Sequence, residues 1–184
     1  MKRIQYIAIY GGLIIGLMGC KKEVADPDSS NPNVLPPLTH EGKNTFGCLV
    51  NGEVWVAYVS YAIGGSQSLE NQYNNEDSSI HLKALREDDS GNLERIDIFV
   101  KNILNTGYYQ VYTFDNELRG FTDYSGNYNC GLYNYNNELL RSVVVTYLSS
   151  SERIMSGTFE MDLINTSCPE DTIRIREGRF DCSY

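Results

Sequence analysis

Residues 44–56 read NTFGCLVNGEVWV, and this stretch carries the pattern that decides the fold. Its side chains alternate between two faces up to Val50, as expected of a half-buried β-strand. Asn51-Gly52 follows, which is a strong hairpin signal because both turn positions need positive φ. The run from Glu53 to Val59 is apolar on both faces, so we expect it to form a central, buried strand.

Short alternating runs separated by turn residues continue to the end of the chain. The clearest run is a hairpin over 80–100 with its turn at 88–92. Further strands are expected over 108–114, 124–135, 141–148, 155–163 and 173–182, with a long polar loop over 63–77 and a β-bulge at Glu177-Gly178. About nine strands and no helical period predict an all-β fold. It would be a single antiparallel β-sandwich or a partly closed barrel.

Composition restricts the classes of function. The chain has 184 residues, 41% of them hydrophobic, and a net charge of −9. That charge argues against nucleic acid as a partner. No segment reaches the roughly 18 apolar residues of a spanning helix. Two histidines without metal-ligand spacing give no reason to expect a metal, and we expect no cofactor.

The first residues indicate export and lipid anchoring. Lys2 and Arg3 precede a short apolar run that ends at Gly19-Cys20, as in a signal peptide. Leu17-Met18-Gly19-Cys20 resembles a bacterial lipobox, which implies cleavage before Cys20 and lipid on its sulfur. The lipid would attach the protein to a membrane, since two or more acyl chains anchor stably. We therefore expect an outer-membrane lipoprotein at the cell surface or on the periplasmic face.

The chain divides into three parts on this interpretation. Residues 1–19 form the signal peptide, residues 20–43 a lipid-anchored flexible tether, and residues 44–184 the all-β domain. The tether contains four of the five prolines and few large apolar side chains, so its composition is typical of a disordered linker.

A second resemblance rests on both ends of the domain. Residues 44–55, together with Ser156-Gly157-Thr158-Phe159-Glu160 and the ending 175–181, are similar to a group of small Bacteroidetes-type lipoproteins of unknown function. Their usual ending reads SGTFEF…ITDGRFD; here Arg176, Glu177 and Met161 depart from it. The middle of the chain, 61–150, matches poorly. The resemblance implies an all-β lipoprotein and carries over no catalytic residue.

Four cysteines remain besides Cys20, and an even count in an exported domain permits two disulfides. Cys168 and Cys182 lie too far apart along one strand to meet. We favour Cys130–Cys168, with Cys48 near Cys182 if the first and last strands are neighbours. The alternative is that Cys48 and Cys182 are buried free thiols.

Tyrosines are the most distinctive candidates for binding. Tyr124, Tyr128, Tyr133 and Tyr135 crowd one stretch together with several asparagines. Rings with a polar tip beside amide groups are typical of surfaces that bind carbohydrate or protein. The ordinary alternative is that tyrosine is a good strand residue on half-exposed faces.

The expected function is a non-catalytic binding or structural module of the envelope. A ligand would be bound by the Tyr/Asn-rich strands and the 63–77 loop. The sequence has no nucleophile elbow, P-loop or H-E-x-x-H motif. The alternative is an envelope hydrolase using Asp/Glu acid–base residues, because such pairs assemble only in space. Asp171-Thr172-Ile173 also resembles the motif at which Bacteroidetes-type exported proteins are O-glycosylated, which implies Thr172 as the acceptor.

Overall fold

The computed structural model describes residues 33–59, 68–88, 90–112, 119–124, 130–136, 139–165, 167–168 and 170–184. These ranges contain eleven β-strands and no helix, so the predicted all-β class is confirmed. The strands are β1 Thr45–Val50, β2 Glu53–Val56, β3 Leu69–Asn74, β4 Ser79–Glu87, β5 Leu93–Val100, β6 Gly107–Gln110, β7 Arg119–Asp123, β8 Leu132–Tyr135, β9 Arg141–Ser149, β10 Ile154–Asn165 and β11 Thr172–Ser183.

All eleven strands belong to one antiparallel sheet that curls into a half-barrel. Its main path runs β2-β1-β11-β10-β8-β7-β5-β4-β3, and β9 and β6 extend from β10 beside it. One hydrophobic cluster fills the concave side. Within the described ranges, no helix is long and apolar enough to cross a membrane.

The two ends of this sheet come together along a line that we call the seam. Tyr58, just after β2, donates its N–H to the Leu85 carbonyl and accepts from the Glu87 N–H, at 2.9 and 2.8 Å. The buried Trp55 indole donates to the Glu94 carboxylate at 2.7 Å, which ties β2 to β5. These bonds close the seam beside the end of β4.

Two of the clearest sequence predictions are confirmed. Asn51 and Gly52 form the β1–β2 turn with φ of 51° and 91°. The 80–100 hairpin is β4–β5, and its inward positions face the core in the expected register.

Other predictions need correction. The run from Glu53 is buried but does not form a central strand, since β2 lies at one end of the sheet. Contacts across the seam cover its buried residues. The polar loop expected over 63–77 contains β3, whose glutamine and asparagines are compatible with an edge strand. Strand β7 was not anticipated, and it is only five residues long.

The bulge in β11 is present, but Glu177 and Gly178 have different roles in it from those expected. Phe159 lies opposite Gly178 and Met161 opposite Ile175, so two β11 residues face Glu160 alone. Glu177, not the glycine, has positive φ. Gly178 is needed for packing, because a Cβ there would lie 2.5 Å from the Phe159 ring.

Residues 33–43, the described end of the predicted tether, lie against the domain instead of extending freely. The buried Asp181 carboxylate accepts hydrogen bonds from the hydroxyls of Thr39 and Ser156 at 2.6 and 2.7 Å. It also accepts from three backbone N–H groups, those of Glu41, Gly42 and Lys43. The domain therefore begins before residue 44, since one carboxylate binds this strap to β10 and β11.

We expect Asp181→Asn to lower the free energy of unfolding by about 2 kcal/mol at pH 7, because bonds to a charged acceptor are lost. Burial raises the pKa of the Asp181 carboxyl, but bonds from Thr39, Ser156 and two backbone N–H groups outweigh it and hold the pKa below its usual value. The contribution of the Asp181 carboxylate to the free energy of unfolding is therefore full above about pH 3.9. It is lost as the pH falls through the lower pKa of the folded state.

Urea unfolding at pH 7 and below pH 4 measures this difference. Glu160→Gln, on the exposed side of β10, is the matched control and should leave the stability nearly unchanged. Equal pH dependence in wild type and Asp181→Asn would contradict the role of this carboxylate.

Candidate functional site

The predicted tyrosine face is not assembled at the surface. Tyr133 and Tyr135 are buried, each only 8% exposed. The Tyr133 hydroxyl donates to the Asp171 carboxylate, and the Tyr135 hydroxyl donates to the backbone carbonyl of Asp97. Burial, with Asp171 beside Tyr133 and Asp97 beside Tyr135, raises the pKa of both phenols. Binding by these two rings is therefore the wrong interpretation.

The Tyr135 side chain of β8 stabilises the backbone of β5. The β7 ladder covers β5 only at Glu94, Arg95 and Ile96. The next carbonyl on β5 accepts the Tyr135 hydroxyl, and the Phe99 carbonyl then accepts the Tyr112 N–H. The phenol thus satisfies a buried backbone acceptor that none of the described strands reaches. Of the other candidates, Tyr124 is exposed and Tyr128 lies outside the described residues.

Cys130 and Cys168 form the expected disulfide, with Cα atoms 5.7 Å apart. The bond joins the segment before β8 to the β10–β11 connection. The Asn165 side chain organises that connection by accepting hydrogen bonds from the N–H groups of Ser167 and Cys168. The crosslink therefore holds the β10–β11 connection against the segment before β8.

The pairing of Cys48 with Cys182 is wrong, and the alternative of two buried free thiols is confirmed. β1 and β11 are neighbours, but Thr45 lies opposite Asp181, so the two cysteines are offset along the strands in opposite directions. An offset of about four residues is about 13 Å, beyond the reach of a disulfide. Burial raises the pKa of both thiols, to about 12 for Cys182.

His81, Asp97 and Arg95 form a polar cluster on the outer side of β4 and β5. His81 Nε2 lies 3.2 Å from one Asp97 oxygen, and Arg95 Nε donates to the other at 2.6 Å. His81 is buried, whereas the sequence pattern placed it on a polar face. Arg95 and Asp97 form an ion pair within β5, and the contact between His81 and Asp97 joins β4 to β5.

The best candidate site is an open cleft along the seam, beyond the point where Tyr58 closes it. Two adjoining cavities of about 500 and 600 Å³ share Asn71 and Gln72 of β3. The first is also lined by Asn44, Glu70 and Ser183, and the second by Tyr73, Asn75, Ser150, Arg153 and Tyr184. We call this space the seam cleft.

The walls of the seam cleft are held in place by short contacts. Asn44 Oδ1 accepts hydrogen bonds from the Ser183 N–H and hydroxyl at 3.0 and 3.2 Å. The Tyr73 and Tyr184 rings pack against each other, with their centroids 4.4 Å apart, and against the hydrophobic core. Arg153 is exposed with φ of 57°, and its carbonyl accepts the Tyr184 N–H. Positive φ at an arginine is uncommon and marks this turn as a place to look for function.

The lining chemistry is suited to a polar ligand. Within the described parts of the chain, the side chains of Asn71, Gln72 and Arg153 form no hydrogen bond or ion pair, so their donors and acceptors are available. Two aromatic rings add apolar area beside them. Sequence reasoning named the 63–77 segment as part of a binding region, and residues from that segment line this site. It missed the residues of the other three segments, because no local pattern shows that the fold brings them together.

A smaller cavity of about 330 Å³ lies on the outer side of β9–β11 beside Leu38 of the strap. Most of its charged groups already have partners, since Arg179 pairs with Glu177 and bonds to the Pro36 carbonyl. It therefore offers a ligand fewer free polar groups than the seam cleft does.

The remaining candidates are placed as follows. Thr172 is the exposed first residue of β11, and its neighbour Asp171 already accepts the Tyr133 hydroxyl. Cys20 lies outside the described residues. Among the side chains that the structure describes, no group of three His, Cys, Asp or Glu residues is arranged to hold a metal ion.

Comparison with known proteins gives no relative: no protein-family model, curated protein or solved structure matches this chain. The function is therefore argued from the seam cleft itself.

The cysteine assignments predict a labelling pattern. Iodoacetamide should modify none of the four cysteines after Cys20 in the folded, oxidised protein, two after denaturation and four after reduction. Replacing both Cys130 and Cys168 with serine should cost about 3–4 kcal/mol of stability, because the bond closes a loop with a sequence separation of 38. Mass spectrometry and urea unfolding measure these effects; labelling of Cys48 in the folded state would contradict its burial.

Proposed function

We propose that this protein is a lipid-anchored binding module of the cell envelope, without chemistry of its own, that holds a glycan or protein ligand in the seam cleft. The observation that carries the proposal is the lining of the cleft, where amide, guanidinium and phenol groups surround an opening between β3 and the residues at the start of β1 and the end of β11. Such a combination of aromatic area and adaptable polar groups is common in binding surfaces.

The anchor is a proposal from the lipobox-like residues ending at Cys20. It would keep the domain at an outer-membrane surface facing the cell exterior or the periplasm. The strap supports such an arrangement, because any pull from the anchor would reach the domain through Asp181 and the central strands β10 and β11.

Metabolic labelling with palmitate tests the anchor. The wild-type chain should incorporate label and stay with the membrane fraction, and Cys20→Ser should lose both properties. Cys48→Ser is the matched control, since its thiol is buried in the domain. Label retained by Cys20→Ser would contradict lipidation at this residue.

Binding is tested with arrayed polysaccharide fragments and displayed linear peptides as probes. We expect saturable binding without release of a product. Tyr73→Ala should weaken binding at least about tenfold, because it removes an aromatic wall of the cleft. Tyr108→Ala is the matched control, since Tyr108 is 65% exposed on β6 and does not line the cleft.

Turnover of a probe would favour the alternative, an envelope hydrolase that uses Asp/Glu residues. Binding that Tyr73→Ala leaves unchanged would place the ligand elsewhere on the protein. Either result contradicts the proposed function.

A further inference from the structure

The backbone of β3 has one edge that its neighbour does not use. The Ser68 carbonyl accepts the Leu85 N–H at 2.8 Å, and Leu69 lies opposite Ala84. In an antiparallel ladder, residues that bond to the partner strand alternate with residues whose N–H and C=O point away from it. Leu69, Asn71 and Tyr73 therefore point their backbone groups away from β4.

These groups face the seam cleft, because Asn71 and Tyr73 line it on the side away from β4. Within the described ranges β3 pairs only with β4. Three N–H and three C=O groups thus form an unused ladder edge, and such edges are templates for pairing with another strand.

We propose that the seam cleft takes an extended polypeptide segment of a partner protein, which adds to the free edge of β3 as a further strand. The inference rests on the proposed function and names the class of its ligand. Main-chain hydrogen bonds give affinity in this mode of recognition, and alternate side chains give specificity.

A second folded copy of this chain fits the cleft less well than a single strand does. The side of the cleft opposite β3 is formed by Asn44, Ser183 and Tyr184, so a partner must enter a space bounded on both sides. One extended segment can do this, whereas a whole sheet edge brings its own domain with it.

Charge indicates which segments fit best. Arg153 lines the cavity at the Tyr73 end of β3, and Glu70 lines the cavity at the other end. Complementary charges across an interface favour one orientation and suppress others. We expect bound segments to carry an acidic residue near Arg153 and a basic residue near Glu70.

Asn71 allows backbone and side-chain recognition to be separated. Asn71→Pro removes an N–H that points into the cleft, and proline is tolerated at an edge strand where the N–H faces outward. Asn71→Ala removes only the side-chain amide and keeps the N–H. A peptide strand should be sensitive to the first change, whereas a glycan held by side-chain amides should be sensitive to the second.

The experiment is selection of random linear ten-residue peptides, displayed on phage, against the full-length protein in detergent. Chitotetraose and tetragalacturonate serve as glycan probes. We expect selected peptides to lose at least about tenfold in affinity on Asn71→Pro and less than about threefold on Asn71→Ala. A selected peptide with methylated backbone nitrogens should also lose binding, which keeps the test decisive if Asn71→Pro does not fold.

Each other outcome overturns the inference. Peptides that bind Asn71→Pro as well as wild type, and that tolerate backbone methylation, do not use the edge of β3. Binding of a tetrasaccharide that Tyr73→Ala abolishes, with no peptide selected, leaves the proposed function standing and rejects the peptide strand. Absence of binding to every probe rejects both.

Discussion

The structure depends on the meeting of the two ends of one curled sheet. A single sheet can enclose a core only if it curls, and its end strands must then be covered or paired. Here Tyr58 bonds to β4, and the Trp55 indole reaches the Glu94 carboxylate across the interior. Burial raises the pKa of Glu94, while the bond from Trp55 and the charge of Arg86 act in the opposite direction. Closure at this point leaves the rest of the seam open along β3.

The strap and the bulge support the β10–β11 part of the half-barrel. Asp181 collects five hydrogen bonds and so fixes the chain just before β1 to the last strand. Earlier in β11, the bulge lets Gly178 lie under Phe159. The residues of the SGTFE and GRFD segments thus have packing and hydrogen-bonding tasks that the sequence resemblance alone did not reveal.

Local patterns predicted much of this fold, because alternation and turn chemistry act over a few residues. The Asn51-Gly52 turn, the β4–β5 hairpin and the bulge follow from such signals. Register between distant strands does not follow from local signals. The neighbouring positions of β1 and β11 favoured a Cys48–Cys182 disulfide over two free thiols, but the register of the two strands keeps these cysteines apart.

The candidate site was hardest to predict because it belongs to no single segment. Tyr133 and Tyr135 have the composition of a binding face, but their positions opposite β10 put both rings in the core. Asn71 and Gln72 lie in a run that suggested a loop, and only the curl of the sheet brings them opposite Ser183 and Tyr184. A composition signal can name the residue types of a site without placing them.

Amide hydrogen exchange along β3, followed residue by residue in the protein without ligand, tests the central claim most directly. An open edge predicts alternation: the N–H groups of Glu70, Gln72 and Asn74 exchange slowly because they bond to β4, and those of Leu69, Asn71 and Tyr73 exchange fast. Uniformly slow exchange from Leu69 to Asn74 would mean that the edge is already covered, and it would contradict the account of the seam cleft as a place for a ligand.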